Sequence, residues 1–123
     1  MLIKRRIVVV EDDGTVGDLI QDFAMDLGFE CRVFHTPAEA IDEIREDDIV
    51  ISDVQFIGDK FGGVDFYRRL REWLPFSPEA FTFVFMTAYS REIAENKVAD
   101  LGVDLPVLYK PFDMGELKQF LVS

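Results

Sequence analysis

Five short apolar runs, most of them followed by a segment of helical period, restrict this 123-residue chain more than any other feature. Ile7-Val8-Val9-Val10 is an unbroken β-branched run, the pattern of a strand covered on both faces. Residues 16–27 then change period: Val16, Leu19, Ile20, Phe23, Ala24 and Leu27 recur at helical spacing, and Gly28 suits the stop. Residues 30–34 read as a second strand, more mixed in character and so nearer an edge. Thr36-Pro37 opens a short helix, with the hydroxyl as N-cap and proline at the first position, and Ala38, Ile41, Ile44 and Arg45 continue it. Residues 47–52 form the third strand.

A loop containing Gly58, Gly62 and Gly63 leads to a helix over residues 64–74. Val64, Phe66, Tyr67, Leu70, Trp73 and Leu74 supply its buried face, and Pro75 and Pro78 end it. Residues 81–86 are apolar enough for an interior strand. Residues 90–101 predict a weaker helix ending at Gly102, residues 103–109 a fifth strand, and residues 113–121 a last helix capped by Asp113. This alternation, without repeat or linker, predicts an α/β fold with a parallel sheet, right-handed crossovers and helices on both faces.

Composition removes several classes of function. The net charge of −11 argues against nucleic acid as a direct partner, since a phosphate backbone demands basic surface. Lys4-Arg5-Arg6 is a short basic run that reads as a solvated strand entrance. No apolar stretch approaches the roughly 20 residues of a membrane span, and the run after the basic residues is too short for a secretory signal. The single cysteine, Cys31, excludes an internal disulfide and suggests a reducing compartment, hence the cytoplasm.

The chemistry gathers where the runs stop. Open α/β sheets place ligand sites at the carboxyl ends of their strands. Here those ends deliver Glu11, Asp12 and Asp13 after the first run, Asp53 after the third, Thr87 after the fourth and Lys110 after the fifth. The acidic triplet alone fits either a helix N-terminus enriched in acids by its dipole or a divalent cation with oxygen ligands, of which Mg²⁺ is the natural candidate. Asp53 on a neighbouring strand end favours the cation. Asp53 is then the candidate nucleophile for a phosphoryl group, with Thr87 and Lys110 donating to its oxygens. Pro111 favours an extended backbone at Lys110, which helps to aim it.

Val9-Val10-Glu11-Asp12-Asp13, Ile51-Ser52-Asp53, Gly63-Val64-Asp65-Phe66, Met86-Thr87-Ala88 and Lys110-Pro111-Phe112, in that order, resemble the receiver domain of two-component response regulators. The likeness runs from Ile7 through Leu121. It implies a flavodoxin-like, doubly wound five-stranded parallel sheet of order 2-1-3-4-5 flanked by five helices, with residues 1–123 as one receiver domain. It implies Asp53 as phosphoacceptor, and Mg²⁺ held by Asp12, Asp53 and the Gln55 backbone carbonyl, with Glu11 acting through water. Thr87, Ala88 and Lys110 would bind the phosphoryl group and carry the switch, with Asp13, Tyr89 and Val107 as modulators. The implied donor is a sensor histidine kinase or a histidine phosphotransfer protein, and the output is a downstream protein target, the chain being a monomer or a phosphorylation-dependent dimer. No membrane partner is implied. Such a domain is a regulated binding module, an enzyme only in assisting its own phosphorylation and dephosphorylation.

The chain also departs from that pattern. Ile57 stands where the family carries a proline, and the loop up to Gly63 is longer than usual. Val107 occupies the position of the family's aromatic switch residue, while Tyr109 directly precedes Lys110. Tyr89 is placed to shield an acyl phosphate. Phe56, Phe61 and Phe76 fall in or beside loops, where they would form an exposed apolar patch for a partner. His35 reads as structural or surface, Cys31 as a small buried hydrophobe, and Trp73 as remote from the site. An aspartate-nucleophile phosphohydrolase would want an acid/base carboxylate at Gln55, and a flavin binder would want hydroxyl and glycine donors in the first loop. A scaffold never phosphorylated would not need the intact acidic, hydroxyl and ammonium set.

Overall fold

In the computed structural model, which describes residues 5–56, 62–75 and 81–121, five strands and five helices alternate along the chain. They are β1 (Ile7–Val10), α1 (Gly14–Asp26), β2 (Cys31–Phe34), α2 (Pro37–Ala40), β3 (Ile49–Asp53), α3 (Gly63–Trp73), β4 (Thr82–Thr87), α4 (Arg91–Ala99), β5 (Val107–Tyr109) and α5 (Met114–Leu121). All four strand pairings are parallel and the order is β2-β1-β3-β4-β5. The mixed run lies at an edge and the most apolar runs lie inside, as expected.

The two-residue period of the strands sorts side chains onto two faces. Val8, Val10, Val50, Phe83 and Phe85 join Phe66, Tyr67 and Leu70 of α3 and Val98 of α4 in one core cluster. Ile7, Val9, Ile49, Ile51, Val84 and Met86 meet Ile20 and Ala24 of α1 and Leu117 and Leu121 of α5 in the other. Tyr67 and Phe85 both pack edge-on against Phe83, with centroids 5.0 and 4.9 Å apart, each such pair adding about 0.5–1.5 kcal/mol beyond the area it buries. Cys31 is buried in the second cluster, where burial alone pushes its thiol up to about 12.

Several expectations need correction. The helix opened by Thr36 ends at Ala40 instead of continuing to Arg45. Its cap is as predicted, the Glu39 N–H donating to the Thr36 hydroxyl at 3.2 Å. What stops it is a buried ion pair: Arg6 donates to the Glu43 carbonyl at 2.5 Å, and the Arg45 N–H donates to Asp48 at 2.7 Å, so the backbone groups that would prolong the helix are already committed. Arg6 is therefore no solvated residue at a strand entrance; it is 7% exposed and paired with Asp48 at 2.7 Å. Lys4 lies outside the described residues.

The fifth strand begins at Val107, because Pro106 has no N–H to give the ladder; its carbonyl still accepts from the Phe85 N–H at 3.0 Å. Trp73 is on α3 but 59% exposed, its ring covered by the Arg69 guanidinium at 5.3 Å, so it does not belong to the buried face. Leu19, in phase with the apolar stripe of α1, is 56% exposed. Phe56 is 2% exposed within the α3-side cluster and offers nothing to a partner. The loop turns inward as β3 ends, which sequence spacing could not reveal. Phe61 and Phe76, the other two members of the expected patch, lie outside the described residues, as does Ile57.

Candidate functional site

Parallel register brings the strand ends together. Val10 faces Ser52 and Asp53 faces Met86, so one residue further on Glu11 arrives beside Asp53, with Thr87 following on β4. Thr87 in turn faces Tyr109, which sets Lys110 at the same edge. A cavity of about 350 Å³ opens there. Glu11, Asp12, Asp13, Asp53 and Gln55 line one part of it, and Thr87, Ala88, Tyr89 and Lys110 the rest. Of the site residues expected from sequence, only Val107 is absent from the lining; it packs into the α3-side core.

Lys110 is the hub. Its Nζ donates to Glu11 Oε2 at 2.7 Å and lies 2.8 Å from Asp53 Oδ1. Glu11 is 1% exposed, and its other oxygen accepts the Asp13 N–H at 3.0 Å. Asp13 also caps α1, its Oδ1 accepting from the Thr15 N–H at 2.9 Å. Thus the backbone turn after β1 is fixed at both ends by carboxylates of the acidic triplet. The Thr87 hydroxyl oxygen accepts the Tyr89 N–H at 3.0 Å, and the Lys97 ammonium stands 5.4 Å from the Tyr89 ring centroid.

Gly63 packs α3 against the backbone that carries Asp53. The first residue of α3 lies so close to β3 that a methyl group on it would run into the Asp53 carbonyl oxygen, and its N–H donates to the Val54 carbonyl at 2.8 Å. Only a residue without Cβ allows this approach.

The electrostatics are unbalanced. Glu11, Asp12 and Asp53 each offer an oxygen, all within 4.8 Å of one another; among the described residues, Lys110 is the ammonium that meets them. Carboxylates thus outnumber the ammonium around the cavity, an excess that a divalent ion would offset. Burial, reinforced by the Glu11 carboxylate, pushes Asp53 up to about 8 in spite of Lys110. Lys110 responds the other way: burial pulls its pKa down, but the bonds to Asp53 and Glu11 overcome this and raise it. A set of three hard oxygen donors is the chemistry that Mg²⁺ or Ca²⁺ selects.

Sequence reasoning missed two neighbours of the site. The His35 Nδ1 lies 3.2 Å from the Glu11 carbonyl, although nothing in the spacing linked β2 to the acidic turn. An apolar groove of about 410 Å³ adjoins the cavity and shares Ala88 and Lys110 with it; Val16, Leu19, Phe112 and Met114 are among its walls. No sequence signal marked the groove, since Leu19 falls in phase with the buried stripe of α1 and only the structure shows it exposed.

Residues 7–122 match the family described as response regulator receiver domain. The chain belongs to that family: it is a phosphoacceptor domain of two-component signalling. Solved structures similar to it share the fold. The Vibrio cholerae chemotaxis protein CheY4 superposes with a TM-score of 0.79 at 18% identity, covering 98% of this chain and 100% of its own. The BeF3-activated receiver domain of DrrB gives 0.76 at 21% identity, with 98% and 100% covered. The response regulator StyR gives 0.78 at 21% identity over 97% of this chain, which spans 58% of StyR. No curated protein matches the chain by sequence. Members of this family are signalling modules that interact with histidine kinases or phosphotransfer proteins. No helix among the described residues is long and apolar enough to cross a membrane.

Proposed function

We propose that Asp53 is the phosphoacceptor, that Glu11, Asp12, Asp53 and the Gln55 carbonyl hold Mg²⁺, and that Thr87, Ala88 and Lys110 bind the phosphoryl group. The observation that carries this is the excess of carboxylates around one ammonium in a cavity at the strand ends. Bound Mg²⁺ would supply positive charge that keeps Asp53 ionised and offsets the phosphoryl oxygens. An oxygen of Asp53 attacks the phosphorus of a phosphohistidine; the O–P bond forms, the P–N bond breaks, and the imidazole, protonated by solvent on its other ring nitrogen, leaves as the neutral base. Lys110, now bridging Glu11 and Asp53, turns from Asp53 to pair with a phosphoryl oxygen. Thr87 donates its hydroxyl proton to another, while Asp13 and Tyr89 border the reacting group.

The donor is a sensor histidine kinase or a histidine phosphotransfer protein. The apolar groove beside Lys110, walled in part by Leu19 and Phe112, offers that donor an apolar surface next to the cavity. Residues 1–123 act as one receiver domain in the cytoplasm, switching a surface read by a downstream protein. The activated DrrB structure supports the reading by fold, because a beryllofluoride group is a phosphoryl mimic. The test is incubation with Mg²⁺ and acetyl phosphate followed by intact mass. A gain of one phosphoryl group that Asp53→Asn abolishes is expected; an unchanged mass in the unsubstituted chain refutes the assignment.

A further inference from the structure

One aromatic ring sits where a movement of Thr87 would be felt first. Tyr109 is the register partner of Thr87 across β4 and β5, and the N–H of the next residue, Lys110, donates to the Thr87 carbonyl at 2.7 Å. By the strand period Tyr109 shares a face with Val107, which packs on the α3 side, whereas Leu108 lies in the opposite cluster. Over the Tyr109 ring stands the guanidinium of Arg91, 4.4 Å from the centroid. Arg91 is the first residue of α4, directly after its cap Ser90.

The loop between β4 and α4 is therefore tied at both ends. At its start, the Tyr89 N–H donates to the Thr87 hydroxyl oxygen. At its end, Arg91 covers Tyr109, which returns through the sheet to Thr87. If the Thr87 side chain turns toward a group on Asp53, the Tyr89 N–H must follow its acceptor or lose it. The first course moves the loop and, with it, Arg91; the second removes the tie that holds the loop's start.

We propose that the Arg91–Tyr109 pair is the latch of the switch in this chain: it holds α4 in the unphosphorylated arrangement and releases when Thr87 engages a phosphoryl group. The inference rests on the roles proposed above for Asp53 and Thr87. It places the aromatic element of the switch one same-face step nearer the site than Val107, and makes it a pair spanning strand and helix. Opening the latch uncovers Tyr109 and frees the first turn of α4, whose Ile93 is already 46% exposed. A contact that favours one state weakens whatever favours the other, and the two effects are equal in size. For an exposed cation–π contact this corresponds to roughly two- to fivefold in affinity.

The experiment uses the whole chain with Mg²⁺ and beryllofluoride, reading the backbone amides of Ala94 and Val98 by NMR and the beryllofluoride affinity in parallel. Tyr109→Leu and Arg91→Gln are expected to shift these α4 amides part of the way toward the bound positions before any beryllofluoride is added. Both should then bind it about two- to fivefold more tightly than the unsubstituted chain. Tyr109→Phe keeps the ring and should behave as the unsubstituted chain does. Arg91 is exposed, so Arg91→Gln carries the test even if Tyr109→Leu fails to fold. Unchanged amides and affinity in the folded variants overturn the latch and leave the phosphoacceptor reading intact. Failure of beryllofluoride to bind any of the proteins overturns both.

Discussion

The two ends of the sheet both bury charge, in opposite ways. Where the strands begin, Arg6 meets Asp48 one to one, through contacts of 3.1 and 2.7 Å, with side-chain exposures of 6% and 3%. Their remaining capacity goes to backbone: Arg6 to the Glu43 carbonyl, Asp48 to the Arg45 N–H. Where the strands end, one ammonium serves two carboxylates and a third stands near. Among the described residues no buried side-chain polar atom lacks a partner, so the difference is one of charge and not of hydrogen bonding. A matched pair fixes the backbone and responds to nothing. An unmatched cluster holds its members together only with a proton or a cation, and that dependence is what a regulated site requires.

The largest effect should come from unmatching the first pair. Asp48→Ala leaves Arg6 buried without its carboxylate and is expected to cost about 3–5 kcal/mol in urea unfolding, since removing one partner strands the other charge. Phosphorylation by acetyl phosphate, measured on the folded fraction, should persist, because the pair lies at the far edge. Its loss there would show that the two ends are not independent.

Gly63→Ala attacks the support behind the cluster. The added methyl meets the Asp53 carbonyl, so β3 and α3 must separate, at a cost of about 1–3 kcal/mol in thermal or urea unfolding. Phosphorylation should slow as well, because the acceptor carboxylate hangs from that backbone. A variant equal to the unsubstituted chain in both respects would mean that Gly63 does not set the site.

Asp53→Asn sharpens the contrast through pH. With the folded pKa near 8 and the ordinary carboxylate value at 3.8, the folded chain holds a proton that the unfolded chain releases between those values. Asp53 therefore makes the cation-free protein less stable as pH rises through that window, and below it the contribution is fully favourable. Asp53→Asn should thus stabilise the cation-free protein at pH 8 by on the order of 1 kcal/mol or more and leave it little changed near pH 4. Added Mg²⁺ should raise the melting temperature of the unsubstituted chain more than that of the variant. Equal pH profiles for the two would refute the raised pKa.

The smallest effect concerns the rim. Tyr89→Ala removes a ring that borders the cavity and is held by Lys97, and should speed loss of the acyl phosphate about threefold, equivalent to ~0.6 kcal/mol. A hydrolysis rate unchanged by the substitution would show that Tyr89 does not shield.

Much of this was legible beforehand, for identifiable reasons. Strands such as Ile7–Val10 and Thr82–Thr87 announce themselves because interior parallel strands are apolar on both faces. Caps at Thr36 and Asp113 are local, needing only neighbouring backbone N–H groups. The length of α2 was not legible, because Asp48 and Arg6, which end it, are 42 residues apart. Nor was the inward turn of Phe56 or the outward face of Trp73, since periodicity ranks residues on an element without saying what lies against it. At the site, the residue types and their arrival at strand ends could be read. The bond between Lys110 and Glu11, across 99 residues, could not.

Residue order alone settled what kind of fold this is and which polar groups would reach the carboxyl edge, because period and chain reversal are properties of near neighbours. Tertiary structure decided how those groups divide among themselves: which carboxylate is sealed at 1% exposure, which has its pKa raised, and which ring Arg91 covers. Charge pairing depends on distance and on exclusion of water, and both exist only once register has brought remote strands side by side.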